Sequence, residues 1–269
     1  MQLRQHSFGD ECPEEKPHQH CKIFLVNLFR LPIIKHADRS TQFLANLKDF
    51  NPDAVLMNDV GLHWLNIPIE HSWAEQTNVG FPLHKFRFSY NTHEDKQEMV
   101  QWGGTGILTL DEFRPRTFQQ MGSDPTNLGR WTWARIQGRH NMFIRLVSAY
   151  KPCKNTSNLG SSYQQQLPYF RSHNMYTCPR ELFDIHLQHQ LQEWMAAGDH
   201  IIIGLDLNDD ARDCPTQQML TSPGLRDTIL DLHTTDEPPE TNKRNSTTHT
   251  IRVLGNESCR LMNENFSDT

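Results

Sequence analysis

The chain has 269 residues, 36% of them hydrophobic and 22% charged, and a formal net charge of −6 at pH 7. This acidic balance excludes a general electrostatic attraction to nucleic acid, so that such binding would need a local basic groove or a metal ion. The six cysteines include no CxxC pair, which argues against a zinc site. The sequence has no apolar stretch long enough to span a membrane and no signal-peptide core at its start, which predicts an intracellular protein, cytoplasmic or nuclear.

Taken in chain order, the sequence begins with a polar stretch, 1–21, that is typical of a flexible tail. Residues 22–254 carry regular hydrophobic patterns without repeats and are predicted to form one domain. The polar residues 255–269 are predicted to be a C-terminal tail. Short apolar or alternating segments predict strands, at 21–28, 53–59, 84–91, 105–110, 131–138, 142–150, 200–206 and 250–254.

Two segments have the periodicity of amphipathic helices. Apolar residues recur on one helical face in 36–50 and in 178–198. In the second segment Pro179 stands in the first turn and Gly198 closes the helix. Residues 151–177, rich in Asn, Ser, Gln and Tyr, are predicted to be a loop. Mixed strands with two or three helices predict a layered α/β fold.

Acidic and amide side chains follow three of the predicted strands. The segment "IIIGLDLND" runs into Asp206 and Asn208, "AVLMND" ends in Asn58 and Asp59, and "IFLVN" ends in Asn27. If these strands end at one edge of the fold, their carboxylates would repel each other, and a divalent cation would offset that cost. Mg²⁺ prefers oxygen ligands and is usually held by one or two carboxylates plus a substrate phosphate. The pattern indicates a magnesium site, although Asp and Asn are also ordinary turn residues after strands.

Several segments match motifs of one known family in the order in which that family has them. "IIIGLDLND" is similar to a GDxN strand with Leu205 where Gly is common, and "VNLFRLP" to a first strand that carries an Asn, here Asn27. "LMNDVGL" stands where LQExxL is usual, so that Asp59 replaces a Glu, and "VSAYKP" is similar to a YxP strand whose Tyr is Tyr150. With "YNTHE", "GGTGIL" and "DPTNLGRWTW" between them, these segments resemble the endonuclease/exonuclease/phosphatase (DNase I-like) superfamily over residues 22–254. Within it they resemble a retroelement-like subgroup found in protists.

The resemblance implies a four-layered α/β sandwich, in which two mixed β-sheets face each other with helices outside. It implies a divalent-metal-dependent phosphoesterase, foremost a nuclease that hydrolyses phosphodiester bonds of DNA or RNA with Mg²⁺, or with Mn²⁺ in its place. Asp59 and Asp206 would hold the metal, and Asn27 would support the metal site. Asp206 would orient or deprotonate the attacking water, and Asn208 would bind the scissile phosphate. Tyr150 would lie beside that phosphate as a donor or weak acid.

The C-terminal part departs from the family pattern. The family has an IDxI strand whose Asp supports the site, and in "RNSTTHTIRVLG" that position holds His249 or Thr250. The family closes with SDH, and this chain ends "NFSDT", in which Asp268 is kept and Thr269 replaces the His. We therefore expect a truncated or degenerate C-terminal part with impaired activity, because loss of a general acid or base typically costs about 10²–10⁴-fold. The alternative function is a catalytically inactive relative that acts as a binding or remnant domain.

Three further side chains, besides Asp268, are candidates for contact with the substrate. Arg130 stands beside two tryptophans in "GRWTW" and would stack bases and hold phosphate, although alternating tryptophans are also typical of core packing. Asn91 and His93 in "YNTHE" would line a groove, or His93 would be an ordinary loop residue. The expected partner is nucleic acid, with a phosphorylated small molecule or a lipid headgroup as alternatives.

Overall fold

Two β-sheets form the centre of the structure, a computed structural model. The first sheet has four strands, in the order β1 (Ile23–Asn27), β2 (Ala54–Asn58), β4 (Thr105–Leu110) and β3 (His84–Ser89). The second has six, in the order β5 (Gly122–Ser123), β6 (Trp131–Gln137), β7 (Phe143–Tyr150), β8 (Asp199–Asp206), β10 (Ile251–Gly255) and β9 (Arg226–Asp227). The pairs β1/β2 and β7/β8 are parallel and the other pairs are antiparallel, so both sheets are mixed.

The structure describes most of the predicted domain. The described residues are 21–30, 37–68, 72–93, 99–119, 121–138, 141–154, 156–209, 214–228 and 251–255. Most of the predicted N-terminal tail lies outside them, as do His249, Thr250, Asp268 and Thr269, so the boundaries of the tails stay a prediction. No helix within the described ranges is long and apolar enough to cross a membrane.

Helices cover the outer faces of the two sheets. In the described part of the chain they are α1 (Ala37–Phe50), α2 (Trp73–Gly80), α3 (Phe113–Arg116), α4 (Ser162–Ser172), α5 (Pro179–Ala196) and α6 (Pro215–Thr221). Leu47 of α1 and Trp73 of α2 pack on the outer face of the first sheet, against Met57. Phe183 and Leu187 of α5 pack in the same way on the outer face of the second sheet. The arrangement of helix, sheet, sheet and helix confirms the predicted four-layered sandwich.

The two sheets meet through a core that strand periodicity explains. Successive side chains of a strand point to opposite faces. In β2, Leu56 therefore enters the core between the sheets while Met57 faces the helices. In β8, Ile203 faces α5 and Ile202 faces the other sheet. Gly204 allows the sheets to approach closely, because a Cβ atom there would lie 2.7 Å from the Leu25 Cδ1 atom.

The predicted strands and the two predicted helices are confirmed, with small shifts at their ends. The prediction that 151–177 is a loop was wrong, because α4 lies within it. Its start is capped by the Ser161 Oγ atom, which accepts a hydrogen bond from the Gln164 backbone N–H at 3.3 Å. The side of α4 that packs inward includes the amide side chain of Gln165 as well as Phe170, so its apolar periodicity is weak. The described part also has more helices than the two or three predicted.

Candidate active site

Polar side chains follow the apolar core at one edge of both sheets. The parallel register pairs Asn27 with Asn58 at the end of β1 and β2, and Tyr150 with Asp206 at the end of β7 and β8. Strand alternation puts these four side chains on the same face as the core residues two positions before them, which is the face between the sheets. The carboxyl ends of two parallel pairs, one from each sheet, therefore converge.

Asn27 joins the two sheets at this edge. Its Nδ2 atom donates a hydrogen bond to the Asp206 Oδ2 atom at 2.6 Å. Its Oδ1 atom accepts the Phe29 backbone N–H at 2.8 Å, which fixes the orientation of the amide and directs the nitrogen to the carboxylate. The predicted convergence of Asn27 and Asp206 is thus present in the structure.

Asn58 and Ser148 form a second link between the sheets, beneath Asp206. Ser148 Oγ donates to the Met57 carbonyl oxygen at 2.8 Å. The amide of Asn58 is best oriented with its nitrogen donating to Ser148 Oγ at 2.7 Å and to the Ala149 carbonyl oxygen at 3.1 Å. Its oxygen then accepts the Asp206 backbone N–H at 3.1 Å. Every polar group of this buried network is satisfied, which holds the end of β8 in place.

Asp59 is positioned by the turn that contains Gly103 and Gly104. The Asp59 Oδ1 atom accepts the Gly103 backbone N–H at 2.9 Å. Gly103 has a φ of +85°, and a Cβ atom there would lie 3.4 Å from the Tyr150 Cε1 atom. The left-handed backbone favours a glycine at this position, and the nearest atom to such a Cβ atom would be the Ser162 Cβ atom at 3.3 Å. Asp59 itself has a φ of 49°, a conformation that Asp tolerates better than most residues.

Asn208 lies in the turn after β8 and is held on two sides. Its backbone N–H donates to the Asp206 Oδ1 atom at 3.3 Å, and its Nδ2 atom donates to the Lys151 carbonyl oxygen at 2.8 Å. Lys151 is buried, and its Nζ atom pairs with the Asp184 Oδ2 atom at 2.8 Å and contacts the Thr216 hydroxyl. Lys151 is therefore bound to helices on the outer face while its backbone positions Asn208.

Burial dominates the electrostatics of the site. Asp206 is 1% exposed, and burial raises the pKa of its carboxyl group to about 6, against the lowering effect of the hydrogen bonds from Asn208 and Asn27. Burial also raises the pKa of Tyr150 well above its ordinary value, and the nearby carboxylates of Asp59 and Asp206 add to this effect. Tyr150 is therefore a hydrogen-bond donor at neutral pH, and Asp206 changes charge close to neutrality.

The donor set fits a hard divalent cation. The carboxylates of Asp59 and Asp206 would supply oxygen ligands, the kind that Mg²⁺ prefers. No Lys or Arg among the described residues lowers the pKa of Asp206, so its buried charge has amide donors but no cationic partner. The described residues contain no group of three or more His, Cys, Asp or Glu that could hold a metal ion. A site for Mg²⁺ does not require such a group, because Mg²⁺ keeps several waters and takes further oxygens from a phosphate.

The other predicted contact residues lie elsewhere or carry structural bonds. The predicted contact of Arg130 with the substrate is corrected by the structure. The Arg130 side chain is 0% exposed, and its Nε atom lies 2.6 Å from the Asp124 Oδ2 atom. The guanidinium is therefore a buried ion-pair partner and is not accessible to a substrate. Asn91 is buried, and its Oδ1 atom accepts the backbone N–H of His93 at 3.0 Å. His93 is exposed, with its Nε2 atom 2.8 Å from the Thr126 carbonyl oxygen. A substrate contact by Asn91 or His93 stays a prediction.

Sequence reasoning missed some residues that position the site. Ser148 and Lys151 lie in "VSAYKP" and Gly103 lies in "GGTGIL", but sequence reasoning assigned none of them a role, and Asn58 was noted only as one of the amides that end the strands. The alternation of β7 could have found Ser148, because it lies two residues before Tyr150 on the same face of the strand.

Comparison with solved structures finds the same fold in several nucleases and phosphatases. No family model and no curated protein sequence matches the chain. An AP endonuclease, LMAP, from Leishmania major is similar with a TM-score of 0.60 and 14% identity, covering 88% of this chain and 79% of that one. A 3′ phosphatase, NExo, from Neisseria, solved with a product DNA hairpin, has a TM-score of 0.55 and 18% identity, covering 89% of this chain and 88% of that one. An endonuclease/exonuclease/phosphatase family protein from Leptotrichia buccalis has a TM-score of 0.54 and 12% identity, covering 88% of each chain. The chain thus has the DNase I-like α/β sandwich.

Proposed function

We propose that the protein is a divalent-metal-dependent phosphoesterase, and that it acts as a nuclease on phosphodiester bonds of DNA or RNA. The observation that carries the proposal is the contact between Asn27 and Asp206, which joins the strand ends of both sheets at one edge of the fold. The proteins with a similar fold support it, since they include an AP endonuclease and a 3′ phosphatase solved with DNA. A phosphorylated small molecule or a lipid headgroup is the alternative substrate.

Each site residue has a role that its environment favours. Asp206, with a pKa near 6, is suited to orient and deprotonate water at neutral pH. Asn27 holds the Asp206 carboxylate in a fixed orientation. Asn208 uses one amide hydrogen for the Lys151 carbonyl and has a second to offer to a phosphate oxygen. Tyr150 stays protonated and donates to the same phosphate.

Asp59 and Asp206 would hold Mg²⁺ or Mn²⁺, with Asn27 beside them. When bound, the ion would supply a Lewis acid that polarises the phosphate and stabilises negative charge in the transition state. Binding would require Asp206 to be ionised, so we expect affinity for Mg²⁺ to rise as the pH rises through about 6.

Plasmid nicking tests the proposal. Wild-type protein is expected to nick supercoiled DNA with Mg²⁺ or Mn²⁺ and to stop in EDTA, and Asp206→Ala is expected to lower the rate by about 10²-fold or more. Asp111→Asn, which changes an exposed carboxyl group in a turn, is the matched control and should nick at the wild-type rate. A 3′-phosphorylated oligonucleotide measures phosphomonoesterase activity in parallel.

One result would favour the alternative function, a catalytically inactive relative. If wild type cleaves neither the plasmid nor single-stranded DNA or RNA faster than the Asp206→Ala, Asn208→Ala double variant, the catalytic proposal is wrong and the protein is a binding or remnant domain. Thermal unfolding with added Mg²⁺ tests the metal site separately: the midpoint should rise for wild type and stay constant for Asp206→Ala. An equal rise in both would place the ion elsewhere.

A further inference from the structure

Two aromatic rings and an arginine lie directly beside the candidate site. Phe29 follows Asn27 by two residues, and its side chain is 58% exposed. Its ring contacts Trp102 edge to face, with 6.1 Å between ring centroids. The guanidinium of Arg30 stacks over the same tryptophan, with its Cζ atom 3.7 Å from the ring centroid. We call Phe29, Arg30 and Trp102 the stacking platform.

The platform has a fixed position relative to the site. The Phe29 backbone N–H is bonded to the side chain of Asn27, and the Arg30 backbone N–H donates to the Asp59 carbonyl oxygen at 3.0 Å. On the other side, Trp102 directly precedes Gly103, whose N–H holds the Asp59 carboxylate. Each end of the platform is thus within two residues of a group that contacts Asp59 or Asp206.

The backbone under the platform is strained. Phe29 and Arg30 have φ values of 43° and 72°, a region that bulky residues rarely adopt. A backbone of this kind is costly for a bulky residue, and it is typical of functional sites, where the surrounding structure enforces the geometry. Gly61 allows this turn, since a Cβ atom there would lie 2.7 Å from the Arg30 Cα atom.

The chemistry of the platform matches a nucleotide. Nucleobases stack on aromatic side chains and on the plane of an arginine guanidinium. Arg30 brings a cation to a protein with net charge −6. A local cation beside exposed aromatic rings suits the phosphates and bases of a nucleic acid better than it suits an apolar protein segment.

We propose that the stacking platform receives an unpaired nucleobase next to the scissile phosphate. A base inside a duplex is covered on both faces by its neighbours, so only an unpaired or displaced base can offer a face to Phe29. The substrate is therefore a single-stranded nucleic acid or an unpaired end. This inference rests on the proposed function, whose substrate class it narrows.

Binding of a short single-stranded DNA that carries 2-aminopurine tests the inference without cleavage, in EDTA. Stacking of this base quenches its fluorescence, so wild type should quench it, and Phe29→Tyr should keep the quenching. Phe29→Ala should lose the quenching and weaken binding by about tenfold. Ile185→Ala, at a side chain that is 55% exposed on α5, is the matched control and should behave like wild type. The same sequence as a duplex should bind more weakly and be indifferent to Phe29.

A probe with abasic sugars completes the test, because it keeps the phosphates and removes the bases. Wild type and Phe29→Ala should bind this probe equally. If Phe29→Ala weakens the abasic and the normal strand alike, or if wild type binds no single strand, the inference is overturned. If wild type with Mg²⁺ or Mn²⁺ fails to cleave the same single strand while base-dependent quenching is intact, the proposed nuclease activity is rejected and the platform stands. If the strand is cleaved but Phe29→Ala changes neither quenching nor binding, the platform is rejected and the nuclease activity stands.

Discussion

The pH dependence of stability gives a direct test of the environment of Asp206. Burial raises the pKa of this carboxyl group from 3.8 to about 6 in the folded protein. The neutral acid is therefore favoured by folding, and ionisation at neutral pH opposes folding by about 3 kcal/mol. Because the folded pKa lies above the unfolded one, this stability is present below about pH 4 and is lost as the pH rises through 6.

The variant Asp206→Asn removes this titration and keeps a side chain of the same shape. We expect the free energy of unfolding of wild type, relative to the variant, to fall by about 2–3 kcal/mol between about pH 4 and pH 7 in EDTA. For a chain of this size that corresponds to a relative shift of the melting midpoint of roughly 4–12 °C. The variant also accepts the hydrogen bonds from Asn27 and Asn208 less well, because its side chain is an amide. This effect changes the free energy of unfolding equally at every pH, so it cancels when the two pH values are compared.

Urea unfolding, followed by tryptophan fluorescence at several pH values, measures this quantity. Asp111→Asn serves as the control, because an exposed carboxyl group should give a curve parallel to that of wild type. If the curves of wild type and Asp206→Asn also run parallel, Asp206 is not desolvated in the way the structure describes. The roles given to Asp206 in metal binding and water activation would then lose their physical basis.

Three further substitutions have expected outcomes. Gly103→Ala should destabilise the protein by about 1 kcal/mol or more and lower nicking, since its Cβ atom would lie 3.3 Å from the Ser162 Cβ atom and 3.4 Å from the Tyr150 Cε1 atom. Gly198→Ala, with a φ of +84° and open space around it, bears the backbone strain alone, and equal effects of the two variants on nicking would refute the crowding argument. Ser148→Ala should cost about 1–3 kcal/mol in urea unfolding by leaving buried partners unsatisfied, and a change below about 0.5 kcal/mol would show that the network beneath Asp206 is not holding the strand. Arg130→Met should cost about 3–5 kcal/mol because it leaves Asp124 buried without its partner, while nicking per folded molecule stays at the wild-type rate; an unchanged stability with slower nicking would return Arg130 to the substrate.

The strand ends could be predicted from the sequence because their periodicity is simple. In β8 the alternation that buries Ile203 against a helix also turns Asp206 toward the opposite sheet. The apolar run of β1 leads to Asn27 by the same rule. The packing of one sheet against the other could not be predicted from the sequence, because it depends on contacts between distant parts of the chain. The hydrogen bond between Asn27 and Asp206 spans 179 positions.

Helix α4 and Arg130 could not be predicted for a different reason. The inward side of α4 buries Gln165, whose Nε2 atom donates to the Gly160 carbonyl oxygen at 2.7 Å, so the buried face is polar and its periodicity is weak. Arg130 stands beside a tryptophan in the sequence, as a base-contacting arginine would. Its buried partner Asp124 is only six positions away, but nothing in that spacing distinguishes an ion pair from a loop.

Three of the buried aspartates differ in the groups that bond their carboxylates. Asp124 is neutralised by Arg130, and Asp199 is held between Arg135 and Arg145. Burying a charge without such a partner is costly, and a protein normally avoids it by pairing the charge or by coordinating a metal. Asp206 is as deeply buried as the other two, yet within the described residues only amide groups bond its carboxylate. A cation that enters with the substrate would neutralise the carboxylate of Asp206, as arginine side chains neutralise Asp124 and Asp199. This difference among the three aspartates is the strongest physical argument for a metal site at the strand ends.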